Sequence, residues 1–249
     1  MTKELTGIDI SSWQANIDWD KAASNVDFVI LRLGYGKNNV DQYARRNIQE
    51  LNRLGIPYGV YWFSYAYTVE MARNEAKYAV QRLKEFSAQL CYPVYFDWEY
   101  DSRSYAEKNG VKPTKALVRQ IAEAFCEEIR AQGYYPGIYT NPDYINTYYG
   151  EEIFEKYDLW LAQYTSKASR DARMWQYSCA GNVSGINGHV DMNRCYFDYP
   201  AVILPPEEKT PEMYFMVQAS FVNGEDAERI KALLAEHGCN ATVVEVKPT

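Results

Sequence analysis

The run PYGVYWFSYAYTVEMARNEAKYAVQRLKEF at positions 57–86, followed by YPVYFDWE at 92–99, decides the fold. Pro57–Tyr65 is rich in Val, Tyr and Phe and predicts a strand. The period then changes: Ala72, Ala76, Ala79, Val80 and Leu83 recur at helical spacing, so Val69–Phe86 predicts a helix. Tyr92–Glu99 is apolar again and predicts the next strand. Strand, helix, strand at this spacing is a βαβ unit, whose strands run parallel under a crossover helix.

The same alternation extends both ways. Gly7–Ser11 and Phe28–Gly34 read as strands, the second a nearly continuous apolar run broken by Arg32. Ala44–Leu54 reads as a helix ending at Gly55. On the other side, Thr114–Ala131 reads as a helix between Pro113 and Gly133, and Tyr134–Thr140 as a strand. Asn141 caps a further short helix with Pro142 at its first position. Beyond it, Asp158–Tyr164, Ala172–Tyr177 and Gly188–Asp191 read as strands with only short connections. The expected fold is therefore α/β: a modified TIM-like barrel of about five βα units followed by three strands. A doubly wound open sheet is the alternative, because a pattern of elements does not fix closure.

Pro200–Pro211, with its Pro205-Pro206-Glu207-Glu208-Lys209 core, reads as a linker. The expected organisation is a catalytic barrel over 1–199, a linker over 200–212 and a small βαβ unit over 213–249. In that unit Tyr214–Phe221 and Ala241–Val246 read as strands around a helix at Glu225–His237. The helix carries Ala227, Ile230, Leu233 and Leu234 on one face, with Gly238 as its C-cap. Alone, such a unit buries little core.

Composition narrows the function. Of 249 residues 47% are hydrophobic, so a sizeable core forms. Aromatics reach 15%, with 23 Tyr and 6 Trp, which suits either core packing or a groove of flat rings facing sugars. The net charge of −7 and the lack of a Lys/Arg run exclude nucleic acid as a partner. The five cysteines (Cys91, Cys126, Cys179, Cys195 and Cys239) lack zinc-ligand spacing and read as free buried thiols, with a Cys179–Cys195 bridge left open. No metal and no cofactor are expected. Neither a signal-peptide apolar region nor an apolar stretch of membrane-spanning length is present in the sequence, so no membrane insertion is expected.

Asp97 and Glu99 stand two apart at the end of an apolar strand, which points both carboxylates to one side. In a barrel the strand C-termini form the active-site mouth. Flanking Phe96, Trp98 and Tyr100 would desolvate Glu99 and keep it protonated as a general acid. The plain alternative is two solvated acids capping a turn. Asp9, between Ile8 and Ile10, points away from them on the first strand. Asp191 closes a late strand in the same manner. Each alone reads as a structural or turn acid; together the four converge on one barrel mouth.

The ordered motifs resemble glycoside hydrolase family 25, the Chalaropsis-type lysozymes. Gly7–Gln14 with Ile17-Asp18-Trp19 is similar to that family's opening, and Tyr95–Glu99 to its D-x-E strand. Gly59–Phe63, Gly137–Asn141, Asp158–Tyr164, Met174–Tyr177 and Asp191 with Asn193 follow in order. The resemblance implies a barrel that cleaves the β-1,4 bond between N-acetylmuramic acid and N-acetylglucosamine in peptidoglycan. It implies Glu99 as general acid and later base, and Asp97 as the residue that directs the substrate's own 2-acetamido group. Asp9 and Asp191 would hold the sugar, and Tyr61, Phe63, Tyr139, Trp160, Gln163 and Trp175 would line the groove. The tail resembles half of a SPOR-like domain, which implies contact with glycan strands; pairing of two copies into a homodimer through its sheet edge is the other reading. The implied site of action is the bacterial cell wall, reached either by release from a host cytoplasm, as an endolysin is, or by secretion with a leader that this chain lacks. Two rival functions stay open at this point: a non-catalytic wall-binding barrel, and a glycosidase on another acetamido-sugar polymer such as chitin.

Overall fold

The computed structural model describes residues 4–203 and 224–236. The chain divides into two compact units, 1–207 and 208–249. In the first, the strands are β1 (Leu5–Ile10), β2 (Phe28–Tyr35), β3 (Asn39–Val40), β4 (Tyr58–Phe63), β5 (Val94–Asp97), β6 (Pro136–Thr140), β7 (Asp158–Ala162), β8 (Met174–Gly181) and β9 (Val190–Cys195). Their order is β1-β9-β8-β7-β6-β5-β4-β2-β3, and β1 also pairs with β2. That last pairing joins Gly7–Ile10 to Phe28–Leu31 in parallel and closes eight strands into a barrel, with β3 outside as a short extra strand. The open doubly wound sheet is thereby excluded. β9 is antiparallel to both of its neighbours, β1 and β8, and the other barrel pairs are parallel.

The helices are α1 (Trp19–Ala22), α2 (Ala44–Leu54), α3 (Val69–Glu85), α4 (Tyr100–Lys108), α5 (Lys115–Ala131), α6 (Pro142–Tyr144) and α7 (Pro200–Ile203). Gly55 and Asn141 stand where the sequence reading placed a helix end and a cap, and Thr68 and Thr114 are caps that it did not assign. Thr68 and Thr114 cap α3 and α5 by accepting from Met71 N and Leu117 N, Asn141 accepts from Tyr144 N, and Gly55 leaves α2 at φ +64°. The sequence reading placed no helix at α4. It also carried the fourth strand to Glu99, whereas β5 ends at Asp97 and Glu99 is the N-cap of α4. The apolar residues that suggested a longer strand serve the helix layer instead.

Alternation along the strands sorts side chains into two layers. Ile8, Ile10, Val29, Leu31, Val60, Phe96 and Ile138 face outward and pack with helix residues such as Ile48, Ala76 and Phe125. Phe28, Ile30, Tyr95, Trp160, Met174 and Cys195 face inward with Tyr92 and Tyr199 and fill the barrel. Room for these rings comes from inward glycines: a Cβ on Gly137 would lie 2.5 Å from the Tyr95 ring. The lower barrel is thus solid, and the space that remains opens at the C-terminal ends of the strands.

In the second unit α8 (Gly224–Glu236) matches the expected helix. Ala227 is buried, while Ile230, Leu233 and Leu234 are exposed. The strands expected at Tyr214–Phe221 and Ala241–Val246, Gly238, and the linker after Ile203 lie outside the described residues; the first four residues of that linker form α7. Among the described residues no helix is long and apolar enough to cross a membrane.

Candidate active site

A cavity of about 370 Å³ opens at the strand C-termini. Asp9 of β1, Asp97 at the end of β5, Glu99 just beyond it and Asp191 of β9 all line it. Of the aromatic residues expected in the groove, Tyr61, Phe63, Tyr139 and Trp160 line it too. Gln163 and Trp175 are placed elsewhere. Trp175 packs with Ile145, Leu159 and Leu161 behind the barrel wall, and its Nε1 donates to Gln163 O at 2.7 Å. The Gln163 side chain accepts from Ser169 N at 2.8 Å. On β8 the inward phase belongs to Gln176, next to Trp175, and Gln176 lines the cavity.

Asp9 is the centre of a buried network. Its Oδ2 accepts from Asn193 Nδ2 at 2.8 Å and from Gln176 Nε2 at 2.8 Å. Asn193 Oδ1 in turn accepts from Trp160 Nε1 at 2.8 Å, and Gln176 Oε1 from Tyr139 and Tyr164 hydroxyls at 3.0 and 2.9 Å. Burial, with Asp191 directly opposite on β9, pushes the Asp9 carboxyl up to about 8, and the two amide donors pull against that rise. Burial raises Asp191 to about 6.

Asp97 and Glu99 form the second pair. Burial is the first cause of a raised pKa in both, and their carboxyls are in hydrogen-bonding contact. Two carboxyls in contact away from water share one proton. Asp97 is the more deeply buried of the two, only 3% exposed, and burial holds its carboxyl well above the ordinary value. The Tyr139 hydroxyl lies against Glu99 as well as Gln176 and has one hydrogen for the two, so it favours ionised Glu99 only when that hydrogen turns from Gln176. Oδ1 of Asp97 is buried and without a hydrogen-bond partner among the described residues. The backbone N of Glu99 donates to buried Ser102 Oγ at 3.0 Å, which fixes the first turn of α4. The rings that flank Glu99 in the sequence also find partners in the helix layer. Phe96 packs on Phe125, Trp98 on Tyr144 and Tyr148, and Tyr100 on Tyr144 with much of its surface exposed, so all three lie on the helix side.

Arg32 is the cation of the cavity and acts to lower the pKa of Asp97. Its Nε and Nη2 reach Asp41 Oδ2 at 2.9 and 2.8 Å, and Nη2 reaches Ser12 Oγ at 2.7 Å. The break it makes in the apolar run of β2 was the one sign of it in the sequence. Gln176, Tyr164 and Trp13 also line the cavity without having been assigned there.

Cys91, Cys126, Cys179 and Cys195 are free thiols, so Cys179 and Cys195 are not bridged. Cys126 and Cys195 are buried and Cys91 is half-buried, as expected for packing groups, but Cys179 is exposed at the cavity. Cys239 lies outside the described residues.

Known proteins share this architecture. The family model described as glycosyl hydrolases family 25 matches residues 8–186. A crystallographic relative is the modular autolysin LytC from Streptococcus pneumoniae, solved in complex with a synthetic peptidoglycan ligand. It is 32% identical with a TM-score of 0.70, over 78% of this chain and 47% of that one. This chain therefore spans about half of LytC. The uncharacterised protein YegX of Escherichia coli K12 is 29% identical over 200 residues, 76% of this chain and 68% of YegX. Lysozyme M1 of Streptomyces globisporus is 26% identical over 204 residues, 78% of this chain and 68% of that lysozyme.

Proposed function

Because the chain belongs to glycosyl hydrolases family 25, it is a glycoside hydrolase of the lysozyme type, and we propose that it cleaves peptidoglycan glycan strands between N-acetylmuramic acid and N-acetylglucosamine with retention of configuration. The observation that carries this reading is the Asp97–Glu99 pair, two carboxyls in contact at the barrel mouth, both raised above their ordinary values by burial.

The chemistry follows from where the proton shared by the pair goes. A substrate 2-acetamido N–H that donates to the unpartnered Oδ1 of Asp97 stabilises Asp97 as the anion. The shared proton then passes to Glu99. Glu99 delivers it to the glycosidic oxygen as the bond breaks, and the acetamido oxygen, turned inward by Asp97, attacks the anomeric carbon from the opposite face. Glu99, now ionised, takes a proton from the water that opens the resulting ring, which restores the starting state. The net double displacement retains configuration. Asp191, which ionises near 6, adds negative potential at the cavity beside the positive charge that develops on the sugar, and Asp9, held neutral until about 8, offers a hydrogen-bonding carboxyl there. The wall-binding alternative gives no use to a pair of carboxyls placed in contact where burial resists their ionisation.

The site of action on this reading is the bacterial cell wall. The test is digestion of purified peptidoglycan with the products read by mass spectrometry. New reducing-end N-acetylmuramic acid is expected. New reducing-end N-acetylglucosamine, or cleavage of chitin in preference to peptidoglycan, overturns the assignment of the bond.

A further inference from the structure

Trp13 is 86% exposed, yet the turn that carries it is held from within and from two neighbouring segments. Within the turn, Trp13 N donates to Ser11 Oγ at 3.2 Å and Ser11 N to Gln14 Oε1 at 2.9 Å. From the β2 side, Asp41 Oδ2 accepts from Ser12 N at 2.9 Å and Arg32 Nη2 donates to Ser12 Oγ at 2.7 Å. Toward β9, Gln14 Nε2 donates to His189 O at 3.3 Å. The turn ends at Ala15 with φ +50°, a conformation costly to a residue with a Cβ. A pinned and strained turn that presents the largest side chain to water, at the edge of the catalytic cavity, is poor packing and good presentation.

We propose that Trp13 is a fixed stacking platform for a pyranose ring of the glycan strand, outside the sugar pair that flanks the cleaved bond. The inference rests on the muramidase reading above. An indole offers a broad apolar face to the C–H side of a sugar ring and an N–H at its edge to a hydroxyl. The cavity has the volume of a small-ligand cleft and not of a polymer, so a strand must leave it over the rim. Trp13 follows β1, which is separated from β5 by two strands one way round the barrel and four the other. A strand lying on Glu99 and passing Asp9 and Asp191 therefore meets Trp13 on the far side. Rigidity of the turn matters because the backbone that carries the ring is already placed, so binding freezes no loop.

The test compares Trp13→Ala, Trp13→Leu and Trp13→Phe with the unaltered protein on soluble glycan strands stripped of peptides. Because the indole is exposed, none of the three opens the core. In Trp13→Ala, KM is expected to rise about fivefold, as for a lost ring-stacking contact, with the loss falling on KM more than on kcat. Trp13→Phe is expected to recover most of that loss and Trp13→Leu little of it, since a flat face and not apolarity is required. An unchanged KM in Trp13→Ala, or equal rescue by Leu and Phe, overturns the platform. The unaltered protein keeps the two readings apart. If it releases nothing from peptidoglycan, the muramidase reading fails. The platform is then judged by titrating Glu99→Gln and Trp13→Ala/Glu99→Gln with N-acetylglucosamine tetramer, where equal affinity overturns it and weaker binding by the double variant supports it.

Discussion

Nδ2 of Asn193 donates to Oδ2 of Asp9 at 2.8 Å, and the geometry around Asn193 forces that direction. The indole Nε1 of Trp160 can only donate, and it does so to Asn193 Oδ1 at 2.8 Å. With its oxygen committed, Asn193 has only its amide hydrogens left for Asp9. Gln176 Oε1 accepts from the Tyr139 and Tyr164 hydroxyls, which leaves its Nε2 to donate to Asp9 Oδ2. Two amides thus support the ionised form of a carboxyl that burial and Asp191 drive toward the neutral form.

Asn193→Ala is therefore expected to act on stability and on Asp9 together. It strands the buried Trp160 N–H and removes a donor from Asp9, so urea unfolding should show a loss of about 1–3 kcal/mol. The Asp9 carboxyl, already near 8, should ionise at a higher pH when followed by carboxyl NMR. An unfolding midpoint like that of the unaltered protein would refute the network.

Glu99→Gln tests the proton donor. An amide cannot protonate the leaving oxygen, so kcat for peptidoglycan digestion should fall by at least about 100-fold. The variant also removes one member of a carboxyl pair that is costly to ionise. Its melting temperature at pH 7 should therefore be no lower than that of the unaltered protein. Activity within tenfold of the starting level would sink the assignment.

The fold was legible where local signals agree. α3 announced itself by apolar spacing, α2 and α5 by the glycines that follow them, Gly55 and Gly133, and α6 by its cap Asn141, whereas the caps Thr68 and Thr114 were not read. α4 was not legible because its face toward the protein is carried by Ser102 and Ala106 alone, while Tyr100 and Tyr105 stay exposed. In the site the four acids were readable as polar residues at strand ends. Their support was not. Asp41 meets Arg32 and Ser12 only through tertiary structure, and the choice between Trp175 and Gln176 turns on strand phase, where one residue changes the face. Barrel closure itself joins Asp9 to Asp191, residues near opposite ends of the barrel sequence, and no local pattern encodes that pairing.

Glu75 supplies a pH test outside the cavity. This α3 residue is buried and accepts from Ser64 Oγ at 2.5 Å and Tyr65 N at 3.2 Å, which braces the chain after β4. Burial raises its carboxyl from 4.5 to about 7. Between those values the folded state binds a proton that the unfolded state has lost, so stability falls as pH rises through that window and stays lower above it. Gln copies the protonated carboxyl. Glu75→Gln should thus match the unaltered protein near pH 4.5 and exceed it by up to about 3 kcal/mol near pH 8. Thermal unfolding of both across that range gives the answer, and a difference independent of pH would contradict it.

Gly137→Ala probes the packing that leaves the cavity open only at one end. The added methyl would meet Tyr95 Cε1 at 2.5 Å and Cδ1 at 2.6 Å. The Tyr95 ring has no free direction: it packs on Trp160 with centroids 5.0 Å apart, and its hydroxyl reaches that of Tyr199 at 3.4 Å. Overpacking of this kind costs about 1–3 kcal/mol. Tyr95→Leu alone should also destabilise, by leaving a void beside Trp160. Combined, the two changes should cost less than the sum of their separate effects, because the smaller side chain admits the methyl. Strict additivity in urea unfolding would mean that the clash is relieved elsewhere, and that the interior of the barrel does not depend on this exchange of a small residue for a large one.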